Sequence, residues 1–187
     1  MRPTARPFLW VGDEASGMLY RARENGPVIL VPLAWTFATA AHLDAVTLRT
    51  VLIAHLVMDV IIVAFTALSW REMTEGVLRA WKLVLLAGLV ATLVGTAGLL
   101  ASPPVDPLLS LTVVAWMLIP AAGLAYTGQH VAEAPWVYSV GAILSVAGAV
   151  VYGGTVVLGL PGGGLLVGLT LTNVGQTAGI ANAVYQY

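Results

Sequence analysis

Six apolar stretches, separated by short connectors that hold charged residues, proline or glycine, constrain the fold of this sequence more than any other feature. An α-helix rises ~1.5 Å per residue, so about 20 apolar residues cross a hydrocarbon core of roughly 30 Å. Five of the stretches are at least that long, and the first is shorter, at about 16 residues. The predicted membrane spans are residues 27–42, 50–70, 78–101, 107–127, 135–158 and 164–185.

The composition requires lipid as the solvent for most of this chain. Of its 187 residues, 59% are hydrophobic and 9% are charged, whereas an average soluble domain is about 25% charged. The mean hydropathy is +0.90, and a soluble domain of this size has too little interior to bury that much apolar surface. We therefore predict an all-α integral membrane protein, a six-transmembrane-helix bundle in the lipid bilayer, with residues 27–187 as one domain.

Several function classes are disfavoured by what the sequence lacks. The net charge of −1 gives no indication of nucleic-acid binding. Without cysteine the chain has no disulfide, thiolate metal site or cysteine nucleophile. It contains no metalloprotease or serine-hydrolase motif, and the glycines of "GLPGGG" (159–164) lack the lysine of a phosphate-binding loop. An enzyme is therefore the class with the least support.

The distribution of basic residues predicts the orientation of the chain in the cell membrane. Seven of the eight fall on one side of a six-span arrangement, and Arg49 alone falls on the other. Because positively charged loops are retained in the cytoplasm, we predict a multi-pass protein with both termini cytoplasmic. The seven residues are Arg2, Arg6, Arg21, Arg23, Arg71, Arg79 and Lys82.

The N-terminal segment, residues 1–26, mixes large apolar side chains with charges. Phe8, Trp10 and Leu19 are interspersed with acidic and basic residues. This pattern predicts a short interfacial helix that lies on the cytoplasmic leaflet of the membrane. A tail without regular structure is the alternative.

A shift of 81 residues superimposes three short clusters of the sequence on one another. These clusters predict two repeats, residues 27–106 and 108–187. Three spans in each would make the repeats inverted, as in many secondary transporters, whose sites lie between the repeats. Chance matching in a chain rich in alanine, leucine, valine and glycine is the alternative. The shift places Ala34-Trp35 on Ala115-Trp116, Ala40-Ala41 on Ala121-Ala122, and Thr96-Ala97-Gly98 on Thr177-Ala178-Gly179.

Polar residues within the predicted spans identify a candidate site. Asp59 lies about nine residues into the second span, ~13 Å deep, where a charge costs at least ~2.5 kcal/mol on insertion scales. His55 lies one helical turn from it on the same face. Counted from the same side of the membrane, Asn173 and Gln176 reach a similar depth in the sixth span. We therefore expect Asp59, Asn173 and Gln176 to lie near the middle of the bilayer.

Two tryptophans, Trp35 and Trp116, also lie in mid-span rather than at the interfaces where membrane proteins concentrate this residue. The 81-residue shift superimposes them. They either line an aromatic pocket or only pack between helices. The candidate binding site or proton path therefore consists of Asp59, His55, Asn173, Gln176, Trp35 and Trp116.

Two interpretations of Asp59 remain open on the sequence. In one, a protonated Asp59 joins helices by hydrogen bonding to Asn173 or Gln176. In the other, Asp59 carries a proton or cation in a small transporter, with His55 as a relay.

The histidines allow a third interpretation, a metal site near the outer surface. His42 and His55 flank the first predicted connector, and with Asp44 or Asp59 they would suit zinc, copper or iron. Haem ligation by His55 and a second histidine has little support, because only His42 and His130 remain and His130 falls at the opposite side of the membrane.

The sequence thus favours a small polytopic membrane protein that binds or transports a small solute or ion, with proton coupling through Asp59. The alternative is a non-catalytic subunit or scaffold, as a homo-oligomer or within a larger membrane complex. In that case the polar mid-span residues only hold helices together.

Single cysteines test the predicted orientation, since the native chain has none. A cysteine at Asp106 or Gly163 should react with a membrane-impermeant thiol reagent outside intact cells. One at Glu75 should react only after the membrane is permeabilised. The reverse pattern would overturn the orientation.

Overall fold

The structure, a computed structural model, describes the backbone of residues 10–186 and the side chains of residues 26–186. This part of the chain forms six α-helices joined by connectors of four to six residues. The second to sixth predicted spans are confirmed as helices, and each boundary lies within three residues of its prediction. The helices are α1 (Trp10–His42), α2 (Leu48–Ser69), α3 (Gly76–Leu100), α4 (Asp106–His130), α5 (Pro135–Leu158) and α6 (Gly163–Gln186).

The first helix is longer than the predicted first span. α1 runs without interruption from Trp10 to His42 and contains Pro27 and Pro32. Proline is tolerated in membrane helices because neighbouring groups satisfy the backbone carbonyl that it leaves free. The described part of the predicted interfacial helix is therefore the beginning of α1, and residues 1–9 lie outside the described residues. The apolar part of α1, Gly26–His42, is short, as the sequence predicted.

Within residues 10–186, four helices are both long and apolar enough to cross a membrane: α2, α3, α4 and α5. α6 has a comparable length of 24 residues, but amide side chains such as Asn173 and Gln176 lower its hydropathy. The chain is a helical, multi-pass membrane protein whose apolar helices contact lipid. We call the end of the bundle that holds connectors 43–47, 101–105 and 159–162 the upper end. The lower end holds connectors 70–75 and 131–134.

The helices pack in the order α2, α3, α4, α5, α6, α1, and α4 also touches α6. Met117, Leu124 and Leu169 are completely buried in this arrangement. Among the described helices, α1 packs extensively only on α6, and α2 packs extensively only on α3. α2 is distinguished by its low burial. Only 11% of its apolar segment is buried, against 33–39% in α3, α4 and α5. The bundle is thus a five-helix body with one loosely attached helix.

Glycines bring α5 and α6 into close contact. A Cβ atom on Gly141 would lie 2.6 Å from the carbonyl oxygen of Gly175, and one on Gly175 would lie 2.6 Å from that of Gly141. Gly148 and Gly168 face each other in the same way, at 2.5 and 2.7 Å from the opposing carbonyl oxygens. Only residues without a side chain permit this approach. It supplies the van der Waals contact that joins membrane helices where lipid removes the hydrophobic driving force.

Gly141→Ala should lower the free energy of unfolding by about 1–3 kcal/mol, the usual cost of overpacking. The matched control is Gly153→Ala in the same helix, where an added Cβ meets nothing within 4 Å. Thermal unfolding in one detergent should give a lower midpoint for Gly141→Ala and a near-parental midpoint for Gly153→Ala. Equal midpoints would contradict the tight α5–α6 contact.

Candidate functional site

The mid-span glutamine of α6 is held by groups on two other helices. Trp35 on α1 donates its Nε1–H to Gln176 Oε1 at 3.0 Å. Gln176 Nε2 donates to the backbone carbonyl oxygens of Trp116, at 3.0 Å, and Met117, at 3.3 Å, on α4. Gln176 is only 3% exposed, so its amide joins α1, α4 and α6 inside the bundle.

Pro120 explains why Gln176 finds an acceptor on α4. Proline has no N–H, so the carbonyl four residues before it loses its helical hydrogen bond. That carbonyl belongs to Trp116, and Pro120 is buried within α4. Gln176 supplies the donor that the proline removes.

The second mid-span tryptophan links α4 to α3. Trp116 donates its Nε1–H to Thr92 Oγ1 at 3.0 Å, and Thr92 donates to the carbonyl of Gly88 at 2.9 Å. Gly88 makes room for the indole, because a Cβ there would lie 2.6 Å from a ring carbon of Trp116. Trp35 and Trp116 therefore meet around Gln176, and their bonded N–H groups indicate packing rather than an open pocket.

His42, in the last turn of α1, contacts α5. Its Nε2 lies 2.9 Å from the hydroxyl oxygen of Tyr152, and its Nδ1 lies 2.8 Å from the carbonyl oxygen of Ala38. Ser110 on α4 hydrogen-bonds to the same tyrosine. Both ring nitrogens of His42 are therefore engaged within the protein.

The structure does not support the predicted metal site. His42 faces Tyr152 on α5, whereas His55 faces α3 beside Gly95, and Asp44 is exposed in its connector. Among the described residues, no three histidine, cysteine, aspartate or glutamate side chains could hold a metal ion. The physical reason is that α1 and α2 lack an extensive common interface, so the histidines on either side of connector 43–47 diverge.

Asp59 lies at the interface between α2 and α3. Thr96 Oγ1 donates to Asp59 Oδ2 at 3.2 Å, and Asp59 Oδ1 is buried with no hydrogen-bond partner among the described residues. Of the two interpretations of Asp59, the one with a bond to Asn173 or Gln176 has no such bond in the structure, where the donor to Asp59 is Thr96 on α3. Asn173 instead accepts from Thr177 on its own helix at 3.0 Å.

His55 occupies the same face of α2, one turn above Asp59. Its Nδ1 lies 3.0 Å from the carbonyl oxygen of Val51, which can only accept a hydrogen bond, so Nδ1 is the donor and Nε2 is directed elsewhere. A Cβ on Gly95 would lie 3.0 Å from that Nε2 and 2.9 Å from Thr112 Oγ1. The missing side chain of Gly95 therefore gives the imidazole room between α2 and α3.

Two polar residues on the same face of α2 were missed by the sequence reasoning. Thr66 and Ser69 are only 7% and 3% exposed, and neither hydroxyl has a hydrogen-bond partner in the described part of the chain. They follow Asp59 by seven and ten residues, a spacing that places them on its face of the helix. This periodicity is the signal that could have found them.

A separate cleft of about 470 Å³ lies at the lower end of the bundle. None of the predicted site residues lines it. One of its walls is Tyr126, whose ring stacks on that of His130 with 3.9 Å between centres. The lining residues are Thr74, Glu75, Gly76, Arg79, Ala80, Leu83 and Tyr126.

Comparisons with protein-family models, with curated proteins and with solved structures find no match for this chain. The polar groups considered above form three sets: Gln176 with the tryptophans, His42 with Tyr152, and the α2–α3 set around Asp59. The first two sets use their polar atoms in hydrogen bonds. The third leaves buried polar atoms that have no partner among the residues the structure describes, and it is therefore the strongest candidate site.

The Trp35–Gln176 hydrogen bond should be measurable as a coupling free energy. Trp35→Phe and Gln176→Leu should each lower the free energy of unfolding by about 1–3 kcal/mol. The double variant should lose less than the sum, with a coupling of about 0.5–1.7 kcal/mol. Trp136→Phe, at a side chain that is 68% exposed, serves as the control. Strictly additive losses would show that the two side chains do not interact.

Proposed function

We propose that this chain transports protons, alone or together with a small solute or ion, and that Asp59 takes up and releases the proton. The observation that carries the proposal is the half-buried Asp59 carboxyl group, which has one donor, Thr96, and one oxygen without a partner. In this proposal α1 and α6 also cross the membrane. The protein then has six spans with both termini in the cytoplasm.

The surroundings of Asp59 suit a group that exchanges a proton only at defined moments. An ionised carboxylate at mid-membrane costs at least ~2.5 kcal/mol on insertion scales, and buried charges need several hydrogen bonds or an opposite charge. Thr96 is a single donor. The basic residues of α3, Arg79 and Lys82, lie at its lower end, more than ~20 Å away along the helix. Loss of the proton therefore requires water or a movement of α2.

His55 supplies the upper entrance to this route. It precedes Asp59 by one turn, ~6 Å along the helix axis, a gap that a water molecule bridges. Imidazole is the side chain that exchanges protons near neutral pH. Because the Nε2 of His55 lies beside Gly95 in the interior, a proton arriving from the upper end would pass through His55 to Asp59.

The packing supplies a rigid body and a helix that moves against it. The glycine contacts of α5 with α6 and the bonds of Gln176 hold α1, α4, α5 and α6 together, and α3 is joined to α4 through Trp116. α2 is attached on one side only. A change in the protonation of Asp59 alters its contact with Thr96, through which α2 is attached to α3. Proton binding is thereby coupled to the position of α2.

An inverted repeat would fit this mechanism. α1 packs on α6 and α4 packs on α3, so the first helix of each proposed repeat, 27–106 and 108–187, packs on the third helix of the other. Trp35 and Trp116, equivalent under the 81-residue shift, both donate across these contacts. This reciprocal packing of first helices on third helices supports two related halves, with the transport route in one of them.

A second candidate function is that of a non-catalytic subunit in a membrane complex. The low burial of α2 favours it, because a partner helix has room to pack there. In that case Asp59 would serve only to attach α2 to α3 through Thr96.

Asp59→Asn separates the two functions, because asparagine keeps the shape and the hydrogen bonding of the residue but does not titrate. In reconstituted vesicles with a trapped pH-sensitive dye, the variant should lose proton uptake driven by a potassium-diffusion potential by about tenfold or more. That factor corresponds to a barrier raised by about 1.4 kcal/mol. Its thermal unfolding midpoint should remain near that of the parent.

The matched control is Asp44→Asn at the exposed connector. Asp44 has a φ of 54°, which asparagine adopts readily, so this variant should keep both stability and uptake. If Asp59→Asn takes up protons as fast as the parent, Asp59 is a structural residue. The subunit function then becomes the better account.

A further inference from the structure

One face of α2 carries polar groups that continue past Asp59 toward the lower end of the bundle. His55, Asp59, Ile62, Thr66 and Ser69 follow one another at steps of three or four residues, which places them on one side of the helix. Ile62, Thr66 and Ser69 are buried, with 4%, 7% and 3% exposure. Since α2 packs extensively only on α3, this face lies in the α2–α3 interface.

The hydroxyls of Thr66 and Ser69 differ from the other buried serine and threonine hydroxyls of the described helices. Six of these bond to the carbonyl oxygen four residues earlier, the usual arrangement in a helix, and the seventh, Thr96, bonds to Asp59. Thr66 and Ser69 make neither kind of bond and have no other partner in the described chain. The six are Thr92, Thr112, Thr127, Ser145, Thr155 and Thr172.

Three polar atoms without partners therefore lie on one face of one helix: Asp59 Oδ1, Thr66 Oγ1 and Ser69 Oγ. Buried polar groups are normally bonded to protein or to ordered water. Aligned along an interface, these three mark a track for a small polar species. A hydroxyl-lined track with one carboxyl group suits water and the protons that water carries.

We propose that Thr66 and Ser69 form the lower half of a proton route that begins at His55 and Asp59, and that Ile62 is its gate. The inference rests on the proposed function and adds to it the exit path and the residue that closes it.

The spacing explains why the route is closed at rest. Asp59 and Thr66 lie seven residues apart, ~10 Å along the axis, and Ile62 occupies the interval with almost no exposed surface. An apolar constriction of this kind excludes water and so interrupts proton transfer. From Thr66 to Ser69 the separation is only ~4.5 Å, which one water molecule spans.

Opening of α2 from α3 would admit water past Ile62. The O–H bond of Asp59 then breaks, its proton passes to water as hydronium, and exchange along hydrogen bonds carries it past Thr66 and Ser69. The carboxylate left behind accepts from Thr96. A proton delivered by His55 re-forms the O–H bond, so the cycle moves one proton without oxidation or reduction.

Few other ionisable groups on these two helices could supply or take the proton. Within α2 they are Arg49, His55 and Asp59, and within α3 they are Arg79 and Lys82. Arg49, Arg79 and Lys82 lie near helix ends, where water is accessible. Asp59 is therefore the residue through which protons must pass at mid-membrane.

Thiol reactivity tests the track without measuring transport, because the chain has no cysteine of its own. Thr66→Cys and Ser69→Cys are placed in nanodiscs and treated with a small charged methanethiosulfonate. The controls are Thr172→Cys and Ser145→Cys, at positions that are also buried but hydrogen-bonded. We expect the α2 cysteines to react at least about tenfold faster, which corresponds to about 1.4 kcal/mol of easier access.

Proton flux in vesicles tests the gate. Ile62→Ala should raise the flux several-fold, because the smaller side chain lets water join Asp59 to Thr66. Ile53→Ala is the same substitution at a lipid-facing position of α2, 52% exposed, and should leave the flux unchanged. Equal flux in Ile62→Ala and Ile53→Ala would overturn the gate.

The two experiments separate this inference from the proposed function. If Asp59→Asn abolishes the flux but Thr66→Cys reacts no faster than Thr172→Cys, the exit track is wrong and the function of Asp59 stands. If Asp59→Asn leaves the flux unchanged, the proposed function fails. Slow reaction of both α2 cysteines overturns the track whatever the flux measurements give.

Discussion

An unpaired polar group in hydrocarbon costs several kcal/mol. Most buried polar side chains of the described bundle avoid this cost by forming hydrogen bonds. Seven buried hydroxyls donate to a carbonyl or a carboxyl oxygen. Gln176 donates a hydrogen bond to the carbonyl of Trp116 that Pro120 leaves without its helical donor. His42 is hydrogen-bonded to Tyr152. Within the described residues, buried polar atoms without hydrogen bonds are most frequent on the inner face of α2. A concentration of exceptions on one face has a functional explanation more readily than a structural one.

Most of the fold could be predicted from the sequence because helix position depends on local properties. The length of each apolar stretch placed α2 to α6 within three residues of their observed bounds. The start of α1 could not be predicted in this way. Pro27 and Pro32 would end a helix in water, whereas here the helix continues through both, because lipid and neighbouring helices penalise any loss of backbone hydrogen bonding.

The site was only partly predictable, because depth is a local property and helix contact is not. The spacing of His55 and Asp59 correctly indicated a shared face of α2. Equal depth then suggested that Asp59 meets Gln176, but depth does not determine which helices are neighbours, and α2 packs on α3. Thr66 and Ser69 were readable from their periodicity. The sequence could not show that their hydroxyls lack hydrogen-bond partners in the described chain, because this depends on the facing surface of α3.

The contrast between α2 and α5 shows why α2 is the loosely attached helix. α5 contains Gly141 and Gly148, which let its backbone touch that of α6, and it also packs on α4. α2 has no glycine between Leu48 and Ser69, and in its contact with α3 the glycine belongs to the other helix, where Gly95 makes room for His55. A helix without backbone-to-backbone contact gains less van der Waals stabilisation from its neighbour. α2 is therefore the helix that separates most easily from its neighbour, as the proposed proton route along its polar face requires.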